Sequence, residues 1–483
     1  MADVEIAGET SILFEEHGSV LAHWFDRGSR DQTLLCFNAH LDIRPIDERR
    51  LAPLREARSG ADFSKRMKLH PSQPDGDTSF GIEDFLFAAH RLGIISRLIW
   101  VVPPFVGANY SEGALAALMQ MNGVDFEQLL TFHRGEAGCI QGTLLGLPIT
   151  MCSIEQLADL DLPEDLLVDI DVDYLIGLPE DRPWCSPNAL IGALQALSIA
   201  PQELTISRSV SSGYTPLQYR FLGDHLAALW DGNDNLAGHY ARLFLLDHRA
   251  GETSAITELG SELAAFPDCP ATHFLAGRVA SAPEAQRRHQ ESAAELNAAY
   301  APDLLRSISE FRARGLPIDA AMVDGLATGI SQIEDDDHRA SAHAAVGLIY
   351  CAGSQLEMAT THFDACKSAW GGHPELGLEI AKGMLPTCSA EELSPYLEVA
   401  EGDDETRTAA GFLRGYSRIE AGDAAAAIPH LEAAREQAPA WLEILAVLSD
   451  AQDLVGNREA ASRLRQELQL RREQIVELAQ RLS

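Results

Sequence analysis

Short apolar runs, each followed by polar positions, mark the first half of the chain. Each run has the length of one β-strand, and four of them cover residues 33–37, 98–102, 166–170 and 203–207. Between them, residues 82–92 and 189–197 have the apolar spacing of helices. Strands that alternate with helices predict an α/β fold, with a parallel sheet and helices on both of its faces.

The pattern changes near residue 245, after which no strand is predicted and Ala, Leu, Glu and Arg dominate. One spacing of small and large apolar residues occurs twice, at Gly347, Ala359, Phe363 and Cys366, and at Gly415, Ala427, Leu431 and Ala434. A shift of 34 residues also carries Ala427 onto Ala461. Small residues at these positions allow two antiparallel helices to approach closely, while the larger side chain fills the groove between them.

This 34-residue period resembles tetratricopeptide repeats, with weaker copies at residues 255–266 and 273–280. We therefore predict two domains, an α/β domain over residues 1–245 and an all-α, tetratricopeptide-like helical solenoid over residues 246–483. Such arrays form a concave surface that binds peptides or proteins. A helical cap or a dimerisation arm is the alternative interpretation.

The chain of 483 residues has 37 Lys and Arg against 72 Asp and Glu, a formal net charge of −35. This charge argues against nucleic acid or an anionic membrane as a partner, and it favours a cationic partner or simply solubility. We expect no leader, because the start lacks a basic and apolar segment, and no membrane span, because no uncharged, apolar run of 18 residues occurs. Eight scattered cysteines without a Cys-x-x-Cys motif predict reduced thiols in a cytoplasmic protein.

Ligand-type residues follow the predicted strands. His17 comes before a helical stretch. Two further groups follow strands: Asn38, His40 and Asp42 after the run 33–37, and Asp169, Asp171 and Asp173 at the end of the run 166–170. Residues two apart in an extended chain face the same side, so the side chains within each of these two groups would point in one direction. Crowded carboxylates need protons or a cation, and mixed carboxylate and imidazole ligands suit Mn²⁺, with Fe²⁺ or Zn²⁺ as alternatives. The other interpretation is two ordinary turns at strand ends.

Glu83 and Asp84 follow a turn at residues 75–78 and open the helix predicted over 82–92. Acids in a first helical turn are normally surface residues that suit the helix dipole. The alternative is that Glu83 lines the mouth of a pocket and holds a cationic guanidinium group.

Taken in order, the motifs resemble those of the arginase/deacetylase superfamily. Glu16-His17-Gly-Ser19 resembles the arginase motif Gly-Gly-Asp-His-Ser, Asn38-Ala-His40-Leu-Asp42 resembles Asp-Ala-His-x-Asp, and Ile170-Asp171-Val-Asp173 resembles Phe-Asp-Val-Asp. A branch that includes peptide arginases is more similar, through Glu-Glu-His, Asp-Ile-Asp-x-Asp-Tyr, and the segments Ile99-Trp-Val-Val-Pro103 and Thr205-Ile-Ser-Arg208-Ser209. The resemblance covers about residues 10–235.

The resemblance implies an arginase-like fold and a metal site of one or two ions. Its predicted ligands are His17, Asn38, His40, Asp42, Asp171 and Asp173. Asn38 departs from the family, which has an Asp there that helps to hold both metals of a pair. The amide leaves three alternatives open, namely a single metal, a pair of low affinity, or an enzyme that has lost its activity.

Two further residues are predicted from the resemblance to take part in catalysis. Arg208 lies near the position where arginases have a guanidinium-binding Glu, and it would either repel a substrate guanidinium or pair with an acid. Tyr214, in Ser212-Gly213-Tyr214, loosely resembles the Gly-Tyr turn of the deacetylases, where the hydroxyl polarises an acyl carbonyl. The alternative for Tyr214 is a buried aromatic residue after a turn.

Three functions remain at this point. The first is a metal-dependent hydrolase of C–N bonds that resembles peptide arginases and converts peptidyl arginine to ornithine and urea, with the helical repeats binding the cationic peptide or a protein partner. The second is a single-metal deacylase that depends on Tyr214. The third is an inactive scaffold for protein interactions. A second copy of the chain is an alternative partner of the repeats.

Overall fold

The computed structural model describes residues 5–6, 10–68, 78–109, 118–177, 181–197, 199, 201, 203–250, 252–304, 306–307, 320–369 and 373–482. The turn predicted at residues 75–78 lies outside this part except for Thr78. Two compact units are formed from alternating stretches of chain. The first consists of Met1–Val20, Leu35–Ala39 and Asp161–Gly315, and the second of Leu21–Leu34, His40–Leu160 and Leu316–Ser483.

Strands are numbered along the chain. They are β1 (Glu5–Ile6), β2 (Ser11–Phe14), β3 (Gln32–Phe37), β4 (Ile95–Val101), β5 (His133–Arg134), β6 (Ile140–Leu144), β7 (Leu147–Cys152), β8 (Leu167–Asp171), β9 (Ile176–Gly177), β10 (Arg182–Pro183) and β11 (Leu204–Ser207). The division between the two units falls inside β3.

Helices up to residue 296 are α1 (Val20–Asp26), α2 (Glu48–Arg55), α3 (Gly60–Ser64), α4 (Phe85–Arg91), α5 (Pro104–Asn109), α6 (Phe126–Leu130), α7 (Pro187–Gln195), α8 (Phe221–Trp230), α9 (Asp234–His248), α10 (Thr253–Ala265), α11 (Pro270–Val279) and α12 (Pro283–Leu296). Those that follow are α13 (Ala320–Gly329), α14 (Asp336–Ala352), α15 (Leu356–Ala369), α16 (Pro374–Met384), α17 (Ala390–Glu401), α18 (Arg407–Glu420), α19 (Ala424–Gln437), α20 (Leu442–Leu454) and α21 (Arg458–Leu482).

The strands of the first unit follow the order β1-β2-β11-β8-β3. β11 runs parallel to both of its neighbours, so that Ser207 lies opposite Phe14 on β2 and Asp171 on β8. The core residues of these strands, such as Leu13, Ile170 and Ile206, are fully buried. A strand buried on both faces reads as a continuous apolar run, which is why the sequence predicts these strands well.

The strands of the second unit follow the order β3-β4-β7-β6-β5, with β4 parallel to β7. β5, β6 and β7 are antiparallel to one another. Leu145 and Gly146 connect β6 to β7, and both have positive φ angles, 51° and 85°. Two consecutive residues with positive φ are typical of a tight hairpin turn, in which glycine is favoured. The sheet is therefore mostly parallel, with an antiparallel edge in this unit.

Paired helices follow in the C-terminal part of the second unit. Gly347 on α14 lies against Phe363 on α15, where an added side-chain carbon would be only 2.5 Å from the ring. Gly415 on α18 lies in the same way against Leu431 on α19, also at 2.5 Å. The predicted role of the small residues at these two positions is thus seen in the structure, whereas the assignment to tetratricopeptide repeats stays a prediction.

The α/β class with a mostly parallel sheet is confirmed. Each strand predicted from the four apolar runs is present within a few residues, and the part of the chain described after β11 contains helices and no strand. None of the described helices combines the length and apolar character needed to cross a membrane. The two compact units divide the chain differently from the predicted boundary at 245/246, and that domain boundary stays a prediction.

The expected extended chain from Asn38 to Asp42 is wrong. β3 ends at Phe37, the chain bends at residues 39 and 40, and Asp42 has a φ of 46°. Asp173 likewise lies beyond β8, in the 3₁₀ turn Val172–Leu175. Aspartate tolerates positive φ better than most residues, so the polar residues that follow these strands also favour the turns that end them.

Candidate metal centre

Polar side chains gather where the parallel strands of the first unit end. β2 leads into Glu16 and His17, β3 leads into Asn38, β8 ends at Asp171, and β11 leads into Arg208. The parallel register aligns the ends of β2, β11 and β8 at one edge. In open α/β sheets this edge, outside the carboxyl ends of the strands, is where ligands bind.

His17 lies between two carboxylates and is fully buried. It begins a 3₁₀ turn that leads into α1. Its Nε2 is 2.6 Å from Asp169 Oδ2, and its Nδ1 is 3.1 Å from Asp171 Oδ2. The amide nitrogen of Asn38 lies 3.3 Å from the same Nδ1. Both ring nitrogens are thus engaged by strand-end side chains.

The charge of His17 follows from these neighbours. Burial lowers the pKa of an imidazole, but the Asp169 and Asp171 carboxylates raise it, and the resulting pKa of His17 is well above its ordinary value. In the absence of a cation, the two carboxylates therefore favour the protonated form of the imidazole. A proton in this position balances part of the charge that a metal ion would otherwise balance.

Each carboxylate is held by further donors. Asp169 Oδ1 accepts a hydrogen bond of 2.5 Å from the hydroxyl of Thr205, on the neighbouring strand β11. Asp171 Oδ2 accepts one of 2.7 Å from the Ser209 hydroxyl, and its Oδ1 accepts one of 3.1 Å from the backbone N–H of Asp173. These bonds fix the orientation of both carboxylates toward His17.

One group of side chains in the described part of the chain could hold a metal ion. Ligand atoms of His17, Cys36 and Asp169 all lie within 4.8 Å of one another, and all three residues are buried. The Cys36 thiol is 3.8 Å from Asp169 Oδ2. Asp169 precedes the predicted ligand Asp171 by two positions on β8, and Cys36 on β3 precedes Asn38, the first residue after that strand, by two positions. Cys36 and Asp169 thus lie one layer further from the ends of their strands than the predicted ligands.

Sequence reasoning missed Cys36 and left Asp169 out of the predicted ligands. The sequence predicts reduced, buried thiols for the cysteines, because none forms a Cys-x-x-Cys motif and several lie in apolar runs. The available signal is the alternation of a strand, since residues two positions before a candidate ligand share its face. The set of imidazole, thiolate and carboxylate fits a divalent transition metal, and the thiolate favours Zn²⁺ or Fe²⁺ over Mn²⁺.

The structure brings together some of the predicted ligands. Asn38 and Asp171 both contact His17 in the first unit. Asp173 lies next along the chain, and its Oδ1 accepts a hydrogen bond of 3.2 Å from Ala39 N. His40 and Asp42 belong to the second unit. There His40 is exposed and Asp42 is half-buried.

The three predicted catalytic residues lie in different surroundings. Arg208 is buried, and its guanidinium pairs with Asp224 at 2.7 Å. Tyr214 is half-buried in the turn after Gly213, which has a φ of 86°. Glu83 belongs to the second unit, where it is exposed and forms an ion pair with Arg44. Their catalytic roles stay predictions.

A further buried acid beside His17 was not predicted as a site residue. Glu16 Oε1 accepts a hydrogen bond of 2.8 Å from Ser212 N, whereas its Oε2 has no hydrogen-bond partner among the described residues. Burial first, and then the neighbouring Glu15, raise the pKa of Glu16 well above its ordinary value. The hydroxyl oxygens of Ser207 and Thr215 are also buried without a partner in the part of the chain that the structure describes. Unsatisfied polar atoms of this kind are rare in buried positions and suit a ligand.

Comparison with known proteins adds no relative to this description. No protein-family model matches the chain, and no curated protein matches its sequence.

Proposed function

We propose that the chain is a metal-dependent hydrolase that acts on a C–N bond. The observation that supports this most is the buried group of His17, Cys36 and Asp169 at the carboxyl edge of a parallel sheet. Buried charged and soft ligands in one place are costly to a fold unless a cation or a reaction uses them.

The metal would be held by His17, Cys36 and Asp169, with Asp171 beside them. A divalent metal there would supply an activated water for attack on a guanidinium or amide carbon near neutral pH. The neutral amide of Asn38 favours one ion over two, and the thiolate of Cys36 favours Zn²⁺ or Fe²⁺ over the Mn²⁺ suggested by oxygen ligands.

The protein side chains orient the site and receive the substrate. Thr205 holds Asp169, and Asp169 in turn holds the His17 imidazole. Glu16 offers a carboxyl oxygen that has no partner among the described residues, and this oxygen could accept a hydrogen bond from an N–H of the substrate. Together with the net charge of −35 and the resemblance to peptide arginases, this favours a peptidyl arginine as substrate.

A second candidate is a scaffold that has lost its activity. It is favoured by the two carboxylates on the two ring nitrogens of His17, because an imidazolium already neutralises part of the charge of the site without a metal. In that case the helical part of the chain, and not the strand ends, carries the function.

Metal content separates the two candidates. The native chain and the Cys36→Ser variant are loaded with Zn²⁺, Fe²⁺ or Mn²⁺, desalted and analysed by elemental mass spectrometry, with Cys388→Ser, a half-buried cysteine of the helical part, as the control. We expect about one Zn²⁺ or Fe²⁺ per native chain and per Cys388→Ser chain, and a clear loss in Cys36→Ser. A folded native chain that retains none of the three metals would support the scaffold.

The reaction is tested on peptides. The metal-loaded chain is incubated with an Arg-containing peptide and with an acetyl-lysine peptide, and the products are weighed by mass spectrometry. We expect the mass loss of arginine conversion to ornithine, unchanged in Tyr214→Phe. Release of acetate that Tyr214→Phe abolishes would instead identify the deacylase. Two unchanged peptides from a fully loaded chain would contradict both reactions.

A further inference from the structure

Two cysteines of the second unit face each other across the antiparallel edge of the sheet. β6 and β7 pair with Ile140 opposite Met151 and Leu144 opposite Leu147. One further step of this register places Cys139 directly opposite Cys152, the last residue of β7. Both are buried, with 1% and 2% of their surface exposed, and both are free thiols.

The register gives these residues the geometry that a disulfide requires. Directly opposed residues of an antiparallel pair have Cα atoms about 4.5 or 5.5 Å apart, depending on the type of pair. Both separations fall within the range of roughly 4.4–6.8 Å found for disulfides. Directly opposed side chains also leave the sheet on the same face, so the two sulfur atoms meet without movement of the strands.

The two thiols already interact. A hydrogen bond between them lowers the pKa of Cys139, and the same hydrogen bond, followed by burial, raises the pKa of Cys152. The two sulfur atoms therefore lie within reach of each other. The lowered pKa of Cys139 suits it as the attacking cysteine, with Cys152 as the resolving one.

We propose that Cys139 and Cys152 are a redox modification site, and that the two residues form a reversible disulfide when the protein is exposed to a peroxide.

The chemistry balances with one molecule of peroxide. The Cys139 thiolate attacks a peroxide oxygen, the O–O bond breaks, and the hydroxide that leaves takes up a proton to become water. The Cys139 sulfenic acid then reacts with the Cys152 thiol, forming the S–S bond and releasing a second water. The two sulfur atoms lose one electron each, and the peroxide gains two.

Burial makes this reaction depend on opening of the sheet edge. The chain before Cys139 contains Ala137 and Gly138, with φ angles of 53° and 74°, and it is tied back by a hydrogen bond of 2.8 Å from Gly135 N to Cys139 O. β5, at the edge, has two residues, so this segment has few backbone bonds to lose. Oxidation would close the loop from residue 139 to 152 and restrict that opening.

The test uses the full native chain. It is treated with hydrogen peroxide, its remaining thiols are alkylated without reduction, and a digest is analysed by mass spectrometry. We expect one linked peptide that joins Cys139 to Cys152, the loss of two hydrogens per chain, and full return of both thiols after dithiothreitol. Hydrogen exchange of the backbone over residues 140–152 should be slower in the oxidised chain.

Cys351 and Cys388 serve as the comparison, because they lie close enough to influence one another electrostatically but belong to no strand pair. They should remain alkylatable at peroxide concentrations that link the first pair. Cys152→Ser should trap Cys139 as a sulfenic or sulfinic acid. Two fully alkylatable thiols at every peroxide concentration, or over-oxidation of Cys139 without a linked peptide in the native chain, would overturn the proposal, and neither result depends on how the variant folds.

Discussion

Thr205 is the residue through which β11 fixes the candidate centre. Its hydroxyl donates the hydrogen bond of 2.5 Å to Asp169, and it is buried. In Thr205→Val the shape is kept and this donor is lost, so we expect the free energy of unfolding in denaturant to fall by about 1–3 kcal/mol. Metal affinity, measured by competition with a chelator, should fall about 10-fold or more.

The matched control is Thr257→Val on α10. The Thr257 hydroxyl is exposed and donates a hydrogen bond to the carbonyl of Thr253, one turn earlier in the helix. We expect its free energy of unfolding to change by no more than about 0.5 kcal/mol. Equal losses in the two variants would show that the bond to Asp169 has no special role.

His225 on α8 predicts a dependence of stability on pH. It is 1% exposed, neither ring nitrogen has a hydrogen-bond partner among the described residues, and burial lowers its pKa to about 4. The unfolded chain binds a proton at this residue below a pH of about 6.5 and the folded chain only below about 4, so stability is lost as the pH falls through that window. The full effect is about 3 kcal/mol.

The measurement is the free energy of unfolding at a series of pH values from 7 to 4, for the native chain and for His225→Phe. The phenyl ring keeps the volume and does not titrate, so the variant should lose less stability across this window. His248→Phe, an exposed residue of α9, should follow the native curve. Parallel curves for all three chains would contradict the assignment to His225.

At the level of helices, glycines without space for a side chain predict where substitutions are costly. A side-chain carbon at Gly415 would lie 2.5 Å from Leu431, whereas one at Gly260, within α10, would meet nothing within 4 Å. Gly415→Ala should therefore destabilise the chain by about 1–3 kcal/mol. Gly260→Ala should stabilise it by up to about 1 kcal/mol, because alanine favours the helix.

Thermal and denaturant unfolding of the two variants check this prediction. The double variant Gly415→Ala/Leu431→Ala, compared with the two single variants, measures the coupling energy between these positions. If the close approach is the cause, the second change should relieve part of the clash, so the two losses should not add. If the two losses of free energy add fully, the contact with Leu431 is not the cause of the destabilisation in Gly415→Ala.

Strands that contain a short run of buried and mainly apolar residues were predictable, and those that depend on pairing with a neighbour were not. The runs that became β8 and β11 are buried on both faces, so composition alone marks them. β5 and β10 have two residues each, and they exist because a neighbouring strand offers hydrogen bonds. The candidate metal ligands were predicted only in part. Cys36 becomes a candidate because β3 lies next to β8 in the sheet, which brings its thiol to Asp169, a residue far away in sequence.

On the scale of the whole chain, one buried arginine joins distant segments of the second unit. Arg50 on α2 pairs with Asp84 at 3.2 Å and with Glu405, which precedes α18. Arg50→Met would leave both acids without this cation, so we expect a loss of about 3–5 kcal/mol in the free energy of unfolding. Arg49→Met, which removes an exposed pair with Asp403, should cost at most about 1 kcal/mol.

Equilibrium unfolding in urea at low and at high salt distinguishes the two arginines. The small loss in Arg49→Met should vanish at high salt, because exposed charges are screened, whereas the large loss in Arg50→Met should persist. A loss in Arg50→Met no greater than that in Arg49→Met would show that the contact with Glu405 does not contribute to stability.

The second unit consists of stretches of chain that are far apart in sequence, and this has a consequence for biosynthesis. Arg50 leaves the ribosome some 350 residues before Glu405 does, and at roughly 5–20 residues per second this interval lasts on the order of tens of seconds. For most of that time the nascent second unit lacks every residue from Leu316 onward, while Asp161–Gly315, the longest stretch of the first unit, is translated. Completion of the first unit can thus precede that of the second, and the partly made second unit is the stretch of nascent chain that most needs a chaperone.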